Sequence, residues 1–210
     1  MIRTVSVDTM RQSDAWTIQN KIPSRELMRR AGEGIFNSAE WKAPVAVVCG
    51  KGNNAGDGFV VADLLFKSGI ACTVFLLSDS FSEDGKFYYD ICAAEGIPMV
   101  PFTPDAEFSA FASVLDCIFG TGFKGEPREP YKTAIEKINS SGAYVVSADI
   151  NSGLNGDTGE GSIYVRSDLT VSIGEYKPGL FLGCAEDAIR EKVNEDIGIE
   201  IQGEFIWLEE

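Results

Sequence analysis

Three features of this 210-residue chain predict an α/β fold on a mostly parallel sheet: short β-branched apolar runs, helical spacing between them, and glycine-rich turns directly after several runs. The first helix is expected over about 7–20 and the second over 24–40, with Ser24 as N-cap and Leu27, Met28, Ala31 and Ile35 as its apolar stripe. After Pro44 the period changes, and Val45 to Cys49 reads as a strand buried on both faces. A helix near 56–69, a strand over 72–77 and a helix near 82–95 follow. Next come a strand at 98–102, a helix near 105–112, a strand over 114–119 and a helix near 130–141. Strands over 143–150 and 169–173 complete the pattern. No repeat, low-complexity tract or linker divides the chain, so residues 1–210 are expected to form one domain.

Composition narrows the chemistry. The chain has no histidine, which removes Ser-His-Asp and Cys-His nucleophile systems and every histidine-containing zinc site. Proton transfer must then fall to Asp, Glu, Lys, Tyr or Cys. A net charge of −14 works against nucleic acid and anionic membranes, so an anionic ligand would need local donors such as backbone N–H groups. Five cysteines without a CxxC pair read as free buried thiols in a reducing compartment. No stretch approaches the ~18 apolar residues of a membrane span, and the cytoplasm is the expected location.

Half of the 22 glycines lie in three stretches, 50–58, 120–125 and 153–161, each after a predicted strand. In an open parallel sheet such loops gather at the carboxyl ends of the strands and form one site. The first, Gly50 to Gly58, formally satisfies a dinucleotide fingerprint, with Asp79 as a candidate ribose acid. Asn53, Asn54 and Asp57 are unusual for that fingerprint; as plain structure they would cap the next helix. The second loop puts Asp116 inside an apolar strand, where a carboxylate needs a cation or several donors, and Lys124 in a glycine-rich turn. In the third, Asp149 ends a strand and is followed by Asn151 and Ser152 as neutral oxygen donors. Asn54, Asp116 and Ser152 together carry one formal negative charge, better matched to a monovalent cation than to Mg²⁺ or Ca²⁺. Asp149 and Lys124 remain as an acid–base pair whose pKa values would have to move toward neutrality.

The combination of GKGNNAGDG, DCIFGTGFKGEPREP and ADINSG resembles the NAD(P)H-hydrate epimerase family, also called the YjeF N-terminal domain family. Similarity runs from Met10-Arg11-x-x-Asp14 through Lys177-Pro178-Gly179-Leu180, nearly the whole chain. The resemblance implies a Rossmann-like three-layer αβα sandwich, a homodimer, and interconversion of the R and S forms of hydrated NADH and NADPH. It implies that Asn53, Asn54, Ala55, Gly56 and Asp57 hold substrate together with Gly120, Thr121, Gly122, Phe123, Lys124, Gly125, Glu126 and Asp149. Asn54, Asp116 and Ser152 would bind one K⁺ per subunit, and Lys124 and Asp149 would carry the acid–base role. Two positions depart from the family pattern: Ala55 stands for a glycine, and Asn151 for a proline whose loss frees the turn before Ser152.

The chemistry needs little apparatus. The hydrate's hydroxyl sits on a carbon bonded to the ring nitrogen, whose lone pair expels it once an acid protonates the departing oxygen; a base then returns water to the other face. Ring opening at the same carbon uses the same groups. An NAD-dependent oxidoreductase would share the glycine turn but needs a Tyr/Lys pair or a histidine to activate substrate, and a non-catalytic nucleotide- or protein-binding module is the other alternative. The chain leaves no room for a dehydratase domain, so a separate NAD(P)H-hydrate dehydratase is the expected pathway partner.

Overall fold

A computed structural model describes residues 1–209. The chain opens with a short strand β1 (Ile2–Thr4), then α1 (Val7–Asn20) and α2 (Ser24–Ser38). The hydroxyl of Ser6 starts α1 by accepting from the Thr9 N–H. The alternating part follows: β2 (Val45–Cys49), α3 (Asn53–Lys67), β3 (Cys72–Leu76), α4 (Glu83–Glu95), β4 (Met99–Pro101) and β5 (Ser113–Cys117). It continues through α5 (Tyr131–Asn139), β6 (Tyr144–Ala148) and β7 (Ser167–Ile173), then α6 (Ala185–Ala188), β8 (Ile189–Glu195) and β9 (Ile206–Leu208).

Seven strands form one parallel sheet in the order β4-β3-β2-β5-β6-β7-β8. Strand direction of growth reverses between β2 and β5, which opens a crevice at their carboxyl ends. Alternate residues of β2 face opposite ways. Val45, Val47 and Cys49 pack with α2, α3 and α4, whereas Ala46 and Val48 pack with α5. The result is the three-layer αβα arrangement. Asp116 pairs in register with Val48 and Ser147 and so points into the α5 layer, with no exposure.

Outside the sheet, β1 and β9 form a separate antiparallel ribbon that joins the two ends of the chain. The Thr17 and Ser13 hydroxyls of α1 accept from the backbone N–H groups of Glu200 and Gln202, fastening α1 to the C-terminal segment. Among the described residues, no helix is long and apolar enough to cross a membrane. All five cysteines are free and four are buried, Cys184 being half-buried.

Several sequence expectations are corrected. No helix forms over 105–112. Isolated turns close at Ala106 and Phe111, and Phe108 and Phe111 pack edge-on against Phe75 at 5.1 and 5.5 Å, so aromatic anchoring replaces a helical stripe. Ser24 is the first helical residue rather than the cap, its hydroxyl donating to Asp84 on α4 at 2.5 Å. Helix α3 begins at Asn53, three residues earlier than expected, because Gly52 takes φ +89° and turns the chain straight into the first helical turn.

Candidate active site

The carboxyl ends of β2 and β5 approach so closely that a Cβ on Gly50 would fall 2.1 Å from the Ile118 carbonyl oxygen; only glycine permits this junction. Beside it lies a cavity of about 580 Å³, a size suited to a small-molecule ligand. Its inner wall is made by the ends of β2, β5, β6 and β7. Its outer wall comes from α1, through Met10, Arg11 and Asp14, and from Ile197 and Ile199 of the C-terminal segment.

The structure places Asn53, Asn54, Asp57, Gly120, Thr121, Gly122, Phe123, Lys124 and Asp149 on the cavity wall. Ala55 and Gly56 are buried in α3 instead, Gly56 so tightly that a Cβ would meet Met28 Sδ at 2.4 Å, and neither lines the cavity. Gly125, Glu126 and Asp79 are exposed and away from it. The asparagines do not cap α3: Gly52 occupies that position and no side-chain cap bond forms.

Asp116 and Ser152 are fully buried and do not line the cavity. The carboxylate of Asp116 accepts from the Ser152 hydroxyl at 2.5 Å, and at 2.9 Å from both the Ser152 N–H and the Ser147 hydroxyl. Ile118 N–H donates to it at 3.2 Å. Burial still pushes Asp116 upward against those four donors. Asn54 is 6% exposed, and neither its amide oxygen nor its nitrogen has a hydrogen-bond partner. A buried amide in that state calls for a ligand. The orphaned Asn54 oxygen, the neutral Ser152 hydroxyl and the single carboxyl of Asp116 are donors of a type that suits a weakly held monovalent ion.

Asn151 corrects the expectation of a loosened turn. Its Nδ2 donates to the Ser167 hydroxyl and the Val165 carbonyl at 2.9 Å and to the Ala188 carbonyl at 3.1 Å. Its Oδ1 accepts from the Thr170 hydroxyl at 2.6 Å. The amide thus faces away from the cavity and ties the turn before Ser152 to β7 and to the end of α6.

Asp149 is the sole non-glycine residue with positive φ among those described, at +66°. Such backbone is rare for a side-chain-bearing residue and persists where surroundings over-determine it. Here they do: Oδ2 accepts from the Thr121 N–H at 2.9 Å, and Oδ1 accepts from Lys177 Nζ at 2.6 Å. Burial opposes ionisation of Asp149, but the Lys177 ammonium and the Thr121 donors outweigh it, and the carboxyl sits below its ordinary value. The expected move toward neutrality is therefore reversed. Asp57 behaves oppositely: burial first, then the charges of Asp149 and Asp14, hold it well above the ordinary carboxyl value. Asp14 is raised as well, by burial and by Asp149.

Sequence reasoning passed over Lys177 and Asp14 as site residues. Lys177 is 1% exposed yet touches the cavity, whereas Lys124 is exposed at its rim. The available signal was topological, since Lys177 follows the strand at 169–173 and so belongs to the same sheet edge as the three glycine loops.

Residues 24–179 match the family described as YjeF-related protein N-terminus. The chain is 34% identical over 197 residues to a bifunctional NAD(P)H-hydrate repair enzyme of Coxiella burnetii, covering 90% of this chain but 40% of that protein. It is 35% identical over 209 residues to an NAD(P)H-hydrate epimerase of Lentilactobacillus buchneri, covering 95% of this chain and 96% of that one. The crystal structure of yeast ynu0, YNL200c, superposes with a TM-score of 0.76 at 22% identity over 98% of this chain and 99% of that one, which shows a shared fold.

Proposed function

Because the chain belongs to the family of YjeF-related protein N-termini, we propose that it interconverts the R and S forms of hydrated NADH and NADPH. The observation that carries this reading is Asp149: a carboxylate kept ionised, locked in orientation and presented to a cavity of ligand size. Epimerisation at a carbon bearing a hydroxyl next to a ring nitrogen needs a proton acceptor beside one face of the ring and a donor for the departing oxygen. Asp149 supplies the acceptor, taking the proton from returning water. The donor for the departing oxygen is assigned to one of two side chains on the cavity wall: Asp57, whose carboxyl is held well above its ordinary value by burial and acidic neighbours, or Lys124 at the rim.

Asn53 and the N–H groups of Gly120, Gly122 and Lys124 would hold the nucleotide. Asn54, Asp116 and Ser152 would hold K⁺, which supplies a fixed positive charge near the bound substrate and gives the Asn54 amide oxygen a partner. The proposed assembly is a homodimer in the cytoplasm, with an NAD(P)H-hydrate dehydratase consuming the S form. Five free cysteines suit a reducing location. The test is stereochemical: purified R hydrate is incubated with the protein, with and without K⁺, and the two forms are separated by chromatography over time. Accelerated conversion by the protein, lost in Asp149→Asn, is expected; no acceleration above the spontaneous rate sinks the proposal.

A further inference from the structure

We propose that Lys177 is the positioning residue of this site, acting on substrate only through Asp149; the inference rests on the epimerase reading above. An ammonium has three protons. Those of Lys177 are directed to Asp149 Oδ1 at 2.6 Å, the Ile173 carbonyl at 2.8 Å and the Ser172 hydroxyl at 3.5 Å. The Ser172 hydroxyl spends its own proton on the Glu175 carbonyl, at 3.2 Å, and so presents a lone pair to Lys177. No Lys177 proton is left to reach into the cavity. Lys177 is therefore not the acid of the reaction, although it is the lysine nearest the reacting carboxylate.

Its effect is geometric and electrostatic. With Thr121 N–H on one carboxylate oxygen and Lys177 on the other, Asp149 cannot rotate, and its left-handed backbone adds a third constraint. The lysine is itself fixed, because Ile173 ends β7 and Ser172 lies inside it, so the sheet sets the ammonium's position. A carboxylate held this way meets the substrate with no reorganisation, which is where an oriented base gains its rate.

The experiment compares wild type with Lys177→Met and Lys177→Arg, each checked for folding by circular dichroism. Lys177→Met is expected to lower kcat by about 100-fold while KM stays within about threefold, because orientation and not substrate contact is lost. Lys177→Arg is expected to recover part of kcat at unchanged KM. The Thr121 amide proton, read by NMR, is expected to shift in both variants as the carboxylate moves. A folded Lys177→Met with kcat within twofold of wild type would overturn the inference, as would a KM raised as much as kcat falls. Should Lys177→Met not fold, Lys177→Arg decides by KM and by the Thr121 amide: a KM raised as much as kcat falls, or an unmoved amide, overturns the inference. If wild type does not epimerise the hydrate, the function falls separately, and an unmoved Thr121 amide in Lys177→Arg still refutes the positioning role.

Discussion

Replacing Asn151 by alanine removes a side chain with no solvent exposure and four hydrogen-bond contacts. Their directions can be assigned. Thr170 donates to Asn151 Oδ1, so Ser167 must donate to Thr170 across their 2.8 Å contact and accept from Asn151 Nδ2. That makes a closed ring of three bonds. The second Nδ2 proton is shared between the Val165 and Ala188 carbonyls. Alanine therefore deprives the Thr170 hydroxyl of its acceptor and the Ser167 hydroxyl and two buried carbonyls of a donor. At about 1 kcal/mol per net bond, with an added cost for orphaned buried groups, the loss is roughly 3–4 kcal/mol. For a chain of this length that corresponds to a fall in Tm of roughly 10 °C, read by thermal circular dichroism or calorimetry. Thr170→Val, which removes one edge of the ring and keeps the shape, should cost about 1 kcal/mol. Asn151→Pro restores none of these bonds, so it should not recover the loss. A Tm for Asn151→Ala within about 3 °C of wild type would refute the assigned circuit.

Gly120→Ala would place a Cβ 3.0 Å from Asp149 Oδ2, which Thr121 and Lys177 prevent from moving aside; kcat should fall at least about tenfold in steady-state assays with Tm little changed. Asp57→Asn should stabilise the fold increasingly as pH rises. Above the ordinary value of 3.8 the unfolded chain releases this proton while the folded one retains it, so stability drains with rising pH until the folded carboxyl also ionises; paired melting curves from pH 4 to 8 would show a gain absent at the acid end, and a gain that shrank with pH would contradict the assignment. K⁺ at about 100 times its Kd should stabilise wild type by about 2.7 kcal/mol, and Asp116→Asn should abolish most of that shift relative to a bulky organic cation. Equal melting temperatures of wild type in the two salts would remove the cation from the site.

The parallel core was legible because its signals are local. Val45 to Cys49 is buried on both faces and its sequence is apolar throughout, so one stretch of five residues announces both strand and burial. Strand β8 escaped notice for the converse reason: Ile189 to Glu195 is an edge strand, half exposed and carrying four charged residues, without an apolar run. β1 and β9 are three residues each and exist only because they pair with one another across the length of the chain. In the site, Asp116 and Asp149 could be singled out because a carboxyl in or at the end of an apolar strand is conspicuous, and Asn54 because it is unusual for a dinucleotide fingerprint. The Lys177–Asp149 pair could not, since 28 residues separate them and only the β6–β7 pairing brings them together.

The wall contributed by α1 and by Ile197 and Ile199 lies outside residues 24–179, whereas Asn54, Asp57, Gly120, Asp149 and Lys177 all lie within them. The cavity is thus divided along the chain into a reacting half and an enclosing half. The enclosing half is held by the β1–β9 ribbon and by the bonds from Ser13 and Thr17, and none of these contacts passes through the carboxylate, the lysine or the candidate cation site. Substitutions in α1 other than at Asp14, whose charge reaches Asp57 and Asp149, can therefore reshape how a ligand is gripped while the contacts that fix Asp149 stay as they are. Evolution or design could change what this site admits without rebuilding what it does.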